Sequence, residues 1–194
     1  MRRGFKTEAE RLANSIRERQ GLGSHEPVSL EQAAGELGVR IVAADELVER
    51  SRLVELDELQ HDAFSAATFR LPGARSEHVI VYNPLSSLGR SRSDQAHELA
   101  HILLNHDVRT MERIGTMQFL TCDLEQEEEA NWLGGCLLLP RPLLLKAAKA
   151  SLSPAEVAER FHVSEQMARF RLNASGVLVQ VGREQALRRK RTST

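Results

Sequence analysis

The sequence predicts a protein of the α+β class, mostly helical, with a small antiparallel sheet of about three strands. Apolar residues recur at helical spacing in several separate stretches of the chain. Three short runs rich in β-branched or aromatic residues, 39–43, 64–70 and 78–83, are typical of strands. With 194 residues, 41% of them hydrophobic, the chain is long enough for one well-packed domain and a small appendage.

The composition argues against several functional classes. The formal net charge of −1 does not suit a general nucleic-acid or membrane-surface binder. No apolar run approaches the ~20 residues of a membrane span, and the charged N-terminus lacks the apolar core of a signal peptide. The two cysteines, Cys122 and Cys136, form no disulfide framework and are interpreted as small buried hydrophobic residues. We therefore expect a cytoplasmic protein.

The chain begins with two predicted helices. Apolar residues over 5–16 predict an amphipathic first helix. Ser29 with Gln32 forms a capping-box signal for a short second helix, and the strand at 39–43 follows it. The charged stretch 45–62 is interpreted as a solvated face and is assigned no element.

The most informative stretch, residues 90–106, contains the pentapeptide HELAH. Residues four apart lie on one face of a helix, so His97 and His101 can both reach one metal ion at about 2.0–2.1 Å. Glu98 projects about 100° further around the axis, which is too far to chelate with both histidines but suits contact with a water on the metal. This is the H-E-x-x-H arrangement of zinc proteases, with two ligands and a general base.

The residues around the pentapeptide support a helix. Ser91 or Ser93 is predicted to cap its N-terminus. Its core face carries Ala96, Leu99, Ala100, Leu103 and Leu104. Because such a pentapeptide also occurs by chance on the surface of amphipathic helices, a third ligand is needed elsewhere in the chain.

A second, acidic helix that begins at Asp123 offers that ligand. Carboxylates in its first turns suit the helix dipole, which is the structural interpretation of the acidic cluster. Glu127 and Asn131 lie four apart on one face, so a carboxylate there would complete a His₂Glu site with one open position. Gly134 and Gly135 predict a very close contact with another helix, for which the HELAH helix is the obvious candidate.

The segment between these two helices, residues 106–122, lacks clean periodicity and is predicted to be a loop that borders the cleft. His106 follows His101 by five residues and therefore lies off the chelating face, which disfavours it as a ligand.

Two further helices are predicted after the prolines that end the acidic helix. Ser153 starts a capping box with proline at the first helical position, and Ser164 caps the next helix, so the pair forms a helix–turn–helix pattern. As a DNA reader this unit would direct four side chains to a groove: Glu165, Gln166, Arg169 and Arg171. A packing or docking role is favoured because the chain has no basic surplus. Residues 177–181 are predicted to add a strand, and the basic tail 183–194 to be disordered.

The chain resembles the ImmA/IrrE family of bacterial metallo-endopeptidases in AHELAHILLNH (96–106) and EEEANWLGGCLLLP (127–140). The family pattern is similar to A-H-E-x-x-H-x-x-L, followed by E-x-E-A-N-x-F-A-x-x-L-L-M-P. Residues 28–42 and 79–84 are also similar to the family's helix–strand entry. The chain departs from the pattern at residues 132–136, WLGGC, without losing any site residue.

The resemblance implies a zincin-like fold and one zinc ion per chain. By the family's motif, His97 and His101 are metal ligands and Glu98 is the catalytic base. The third ligand is then the glutamate four residues before the motif asparagine, which is Glu127. Glu129, in the same acidic run, is the competing choice.

The resemblance also implies an endopeptidase that cleaves helix-turn-helix (XRE-type) repressors and so relieves transcription of stress-response or mobile-element genes. We expect a metallopeptidase domain at 1–145, the helix-turn-helix-like unit at 146–182 and the tail at 183–194. Two alternatives stay open: a DNA-binding regulator with a structural metal site, and a partner that binds its repressor without cutting it.

Overall fold

The computed structural model describes residues 1–61, 64–70, 78–106, 110–114, 117–121 and 123–192. The described helices are α1 (Phe5–Arg19), α2 (Leu30–Glu36), α3 (Arg50–Leu59), α4 (Leu88–Leu103), α5 (Leu124–Leu138), α6 (Arg141–Lys149), α7 (Pro154–Phe161), α8 (Glu165–Ala174) and α9 (Val177–Thr192). The described strands are β1 (Arg40–Ala43), β2 (Ala66–Arg70), β3 (His78–Tyr82), β4 (Thr110–Ile114) and β5 (Met117–Thr121). The α+β class is therefore confirmed, and the charged stretch 45–62 contains a helix, α3, that the sequence analysis did not assign.

β1, β2 and β3 form a mixed sheet rather than the antiparallel one that was predicted. The strand order is β1-β3-β2; β1 runs parallel to β3, whereas β2 runs antiparallel to it. A parallel pair needs a long connection, and the chain between β1 and β3 supplies one that includes α3 and β2. β3 is therefore the central strand, with Ile80 in the main core on one face and Val79 and Val81 in a second cluster on the other.

The segment 106–122, predicted as a loop, contains the antiparallel pair β4–β5. Their register pairs Thr110 with Thr121 and Ile114 with Met117. The pairing joins two runs without a clear alternation of apolar and polar residues, which explains why the sequence pattern did not reveal them. Cys122 lies outside the described residues.

α4 and α5 pack side by side and form the centre of the protein. A Cβ added to Gly134 of α5 would lie 3.0 Å from the carbonyl oxygen of Ala96 in α4. Glycine therefore allows the two backbones to approach, as predicted for this position. Gly135 has a different neighbour, because a Cβ there would overlap the side chain of Arg171 in α8.

α4 begins earlier than predicted. Its N-cap is Ser87, whose side chain accepts a hydrogen bond from the backbone N–H of Arg90. Ser91 and Ser93, predicted as caps, are buried within the helix and bond elsewhere. Ser91 donates to the carbonyl of Asn83 at 3.1 Å, and Ser93 accepts from the backbone N–H of residue 164 at 2.9 Å.

α7 and α8 form where the sequence predicts them. Ser153 and Glu156 make both bonds of the capping box, and Ser164 caps α8 through the N–H of Met167. The side chain of Arg171 is fully buried, so the orientation toward a DNA groove considered for it is wrong. A separate helix-turn-helix-like unit and the boundary at 145 stay predictions.

α9 is helical through Thr192, which corrects both the strand predicted at 177–181 and, within the described residues 183–192, the disorder predicted for the tail at 183–194. Val177 and Val181, four residues apart, are buried, whereas Val179 is 57% exposed. The apolar residues therefore follow the helical period, although their β-branched composition is typical of a strand. Across the described residues, no helix is long and apolar enough to span a membrane.

Candidate metal centre

α4 and α5 bring three potential metal ligands together. The Nε2 atoms of His97 and His101 lie 3.0 Å apart. Glu127 presents Oε2 to the Nε2 of His97 at 3.1 Å and Oε1 to the Nε2 of His101 at 3.6 Å. One donor atom from each residue lies within 4.8 Å of the other two, and all three side chains are partly exposed.

This donor set fits a tetrahedral metal ion. Ligand atoms about 2.0–2.1 Å from zinc lie about 3.3–3.4 Å from one another. The two histidine Nε2 atoms, 3.0 Å apart, lie near that spacing, and each also lies near it from one oxygen of the Glu127 carboxylate, His97 at 3.1 Å from Oε2 and His101 at 3.6 Å from Oε1. Two imidazoles and one carboxylate also form the donor set of catalytic zinc sites that keep a fourth position open. The three residues therefore could hold a zinc ion without rearrangement of α4 and α5.

The second ring nitrogen of each histidine also has a neighbour. The Nδ1 of His97 lies 3.2 Å from the Oδ1 of Asn131, an acceptor that holds the ring with its proton on Nδ1. The Nδ1 of His101 lies 3.0 Å from the Nδ1 of His106. Both imidazoles thus direct Nε2 toward Glu127 because Nδ1 is engaged on the far side.

Glu98 lies on another face of α4, where it is 6% exposed. The hydroxyl of Thr68 in β2 donates a hydrogen bond of 2.6 Å to its Oε2. Asp94, one turn earlier, pairs with Arg90 at 3.2 Å, and burial raises the pKa of this carboxyl. Glu98, which follows His97 directly in α4, is thus a buried carboxylate that is hydrogen-bonded to a residue of the sheet.

The sequence model of the Peptidase_M78 family, described as the IrrE N-terminal-like domain, matches residues 34–173, well over half of the chain. The chain belongs to this family. Membership indicates a metallopeptidase, in agreement with a donor set able to hold a metal ion. The ImmA/IrrE resemblance is confirmed, and both helices of the site lie within the M78 match.

Comparison with other proteins adds little to the family assignment. No protein of curated function matches the M78 chain significantly. Among solved structures, a Mycobacterium tuberculosis transcriptional regulator aligns with 86% of this chain at 17% identity and a TM-score of 0.49. This chain covers 46% of that regulator's chain.

Within the M78 domain, Glu127 and Glu129 occupy different environments. Glu127 faces the two histidines of α4. Glu129 is buried, and its Oε1 accepts from the backbone N–H of Arg2 at 3.3 Å. Its Oε2 lies 3.7 Å from the Nε2 of His106. The structure therefore places a carboxylate oxygen of Glu127, and not one of Glu129, beside the two histidine nitrogens.

Three residues contact the side chains of the site in ways that the sequence did not predict. Thr68 is a strand residue whose contact with Glu98 depends on how the sheet meets α4. Asn131 was noted for sharing a face with Glu127, but not for its contact with His97. His106 was correctly placed off the chelating face, yet its contact with His101 was missed. Burial lowers the pKa of the His106 imidazole.

Proposed function

We propose that this M78 protein is a zinc-dependent endopeptidase, with His97, His101 and Glu127 as metal ligands and Glu98 as general base. The observation that supports this best is that donor atoms of His97 and His101 in α4 and of Glu127 in α5 lie within 4.8 Å of one another, and that α4 also carries Glu98. One zinc ion per chain is expected. We further propose that the protein acts in the cytoplasm.

The proposed chemistry divides between the metal and Glu98. A bound zinc ion would act as a Lewis acid that polarises the scissile carbonyl and acidifies a water molecule. Glu98 would take the proton from the attacking water and deliver it to the leaving amine. The Thr68 hydroxyl donates to Oε2 of Glu98 and thereby orients the carboxylate.

The substrate backbone would lie along β2. β3, the strand before the metal helix, is central in the sheet, whereas β2 lies at an edge of it among the described strands. β2 pairs with β3 on one side, and no other described strand pairs with it. An extended peptide added to this edge would pass Thr68, which contacts Glu98.

The proposed substrate is a helix-turn-helix (XRE-type) repressor, whose cleavage would relieve transcription of stress-response genes. This part of the proposal is supported by the family resemblance, whereas the site itself supports only a peptide substrate. A DNA-binding regulator with a structural metal site is less well supported, because Arg171 is fully buried. Binding of a repressor without cleavage is the alternative that a cleavage assay separates.

The test is incubation of the zinc-loaded protein with a panel of purified XRE-type repressors, followed by mass spectrometry of the products. Wild-type protein should cut at least one repressor at a discrete bond, and a chelator should stop the cleavage. Stable binding of a repressor without cleavage, at full zinc occupancy, would instead support the non-catalytic alternative.

A further inference from the structure

A histidine outside the proposed ligand set lies against one of the ligands. We infer that His106, backed by Glu129, is a positioning residue that holds His101 in the ring orientation and tautomer needed for metal binding. The inference rests on the proposed zinc site. It concerns a residue that the H-E-x-x-H motif does not include.

The end of α4 brings His106 back onto His101. Asn105 adopts the left-handed conformation, with φ of 50°. Its N–H bonds to the carbonyl of Ile102, and the N–H of His106 bonds to the carbonyl of His101, both at 3.0 Å. These two bonds form a Schellman motif, which reverses the chain at the last turn of a helix. The turn therefore determines where the His106 side chain lies, five residues after His101.

The contact between the two rings determines their tautomers. His101 directs Nε2 toward His97 and Glu127, so its Nδ1 is the atom 3.0 Å from the Nδ1 of His106. Two nitrogens at this distance share one hydrogen. A metal ligand that coordinates through Nε2 carries its proton on Nδ1, so His101 donates and the Nδ1 of His106 accepts.

Glu129 completes the arrangement. With Nδ1 as an acceptor, the proton of neutral His106 lies on Nε2, which faces Oε2 of Glu129 at 3.7 Å. The carboxylate is itself held by the backbone N–H of Arg2 at 3.3 Å and by the Nε of the same residue at 3.4 Å. Both side chains of the pair are nearly inaccessible, 7% for His106 and 9% for Glu129. A dry, negatively charged partner favours this tautomer of His106 and strengthens it as an acceptor.

The two proposed histidine ligands thus have different kinds of partner at Nδ1. His97 is backed by Asn131, a neutral amide on an exposed position. His101 is backed by a buried imidazole with a carboxylate behind it. Partners of this second kind typically change metal affinity by 10–100-fold when removed.

The test is a zinc-affinity measurement by competition with a chromophoric chelator, on full-length wild-type, His106→Ala and His106→Asn proteins. In asparagine, Oδ1 is separated from Cα by the same number of bonds as Nδ1 in histidine, so it restores the acceptor. We expect His106→Ala to weaken zinc binding by about 10–100-fold and His106→Asn to recover most of that loss. Melting temperatures of the metal-free variants provide the control for folding.

Several outcomes would overturn the inference. One is zinc binding by His106→Ala as tight as that of wild-type protein, and another is zinc binding by His106→Asn no tighter than that of His106→Ala at equal melting temperature. If His106→Ala does not fold, Glu129→Gln replaces it, with an expected few-fold loss of affinity, and unchanged affinity there overturns the role of the pair. Wild-type protein that takes up no zinc would instead refute the proposed function itself.

The tautomers provide an independent readout. Two-bond ¹H–¹⁵N spectra of the histidine rings in zinc-loaded protein should show His101 protonated on Nδ1 and His106 protonated on Nε2. Protonation of His106 on Nδ1 would contradict the proposed direction of the hydrogen bond.

Discussion

The two ends of α5 contrast in charge: the N-terminal end carries glutamates of its own, whereas the C-terminal end contacts arginines from α1 and α8. The N-terminal end presents Glu127 to the histidines of α4, and its acidic first turns suit the positive end of the helix dipole. At the C-terminal end, the guanidinium of Arg17 donates to the carbonyls of Cys136 and Leu137. Arg171 donates to the carbonyl of Leu139 at 3.1 Å.

Both ends thus satisfy the same electrostatics, but it is the N-terminal end that brings a carboxylate to the two histidines of α4. The last carbonyls of a helix lack partners within it, and the two buried arginines supply donors to them. Burial lowers the pKa of Arg17, so keeping its guanidinium charged inside the protein costs free energy. Charge at a helix end is therefore no sign of function by itself. Function depends on whether the charged atoms converge with other donors.

The largest expected effect lies beside the acidic end. Glu98→Gln should lower kcat/KM by about 10²–10⁴-fold, because a glutamine cannot accept and deliver the proton. Zinc content, measured by elemental analysis, should stay near one per chain. Loss of zinc in this variant would mean that Glu98 is a ligand, which would contradict the role assigned to it.

A substitution at the C-terminal end should affect stability instead of catalysis. Arg171→Met removes the charged hydrogen bonds to Leu139 and to Glu10, the latter at 2.8 Å. We expect a loss of about 2–3 kcal/mol in the free energy of unfolding, measured by urea denaturation, with zinc content unchanged. Arg169→Met is the matched control: its side chain is 65% exposed and pairs with the exposed Glu165 on the surface of α8, so the substitution should cost at most about 1 kcal/mol. Equal effects for the two variants would contradict a structural role for Arg171.

A substitution in the middle of α5 should lower both the stability of the fold and the affinity of the site for zinc. Gly134→Ala places a Cβ about 3.0 Å from the Ala96 carbonyl, which forces α4 and α5 apart. We expect a loss of about 1–3 kcal/mol and weaker zinc binding, since the ligands lie on both helices. Gly35→Ala in α2 is the control, because its Cβ would meet nothing within 4 Å and alanine favours the helix. Wild-type zinc affinity in Gly134→Ala would show that the helix spacing does not control the site.

The smallest effect concerns Cys136, near the C-terminal end. Burial raises the pKa of its thiol to about 12. Because the folded pKa exceeds the unfolded value of about 8.5, this group's contribution to stability is present below pH ~8.5 and is lost as pH rises toward 12. In a Cys122→Ser background, native protein at pH 8 should resist a thiol reagent that labels the urea-unfolded chain at once. Rapid labelling of native protein would contradict the burial.

Much of the site could be predicted because the spacing of residues within one helix is a local property of the sequence. The spacing of His97 and His101 and that of Glu127 and Asn131 follow from the helical period alone. The contact of Thr68 with Glu98 depends on strand order, and that of His106 with His101 depends on a left-handed Asn105, neither of which a period reveals. The burial of Arg171 runs against the usual preference of arginine for the surface.

In the fold, too, elements set by neighbouring residues could be predicted, whereas pairings between distant segments could not. α1, α2, α7 and α8 were predicted from amphipathic spacing and caps, which involve neighbouring residues only. The parallel pairing of β1 with β3 and the pair β4–β5 depend on distant segments. Residues 177–181 show how composition misleads, since β-branched residues there follow a helical period imposed by packing.

The central claim is that the acidic end of α5 completes a zinc site with α4. Elemental analysis of zinc per chain should be made on wild-type, His97→Ala and Glu127→Gln proteins, with Glu125→Gln as control because its carboxylate lies in the same turns but is 55% exposed. We expect one zinc per chain in wild-type and Glu125→Gln proteins and little or none in the other two. Absence of zinc from wild-type protein supplied with the metal, or full retention in Glu127→Gln, would contradict it.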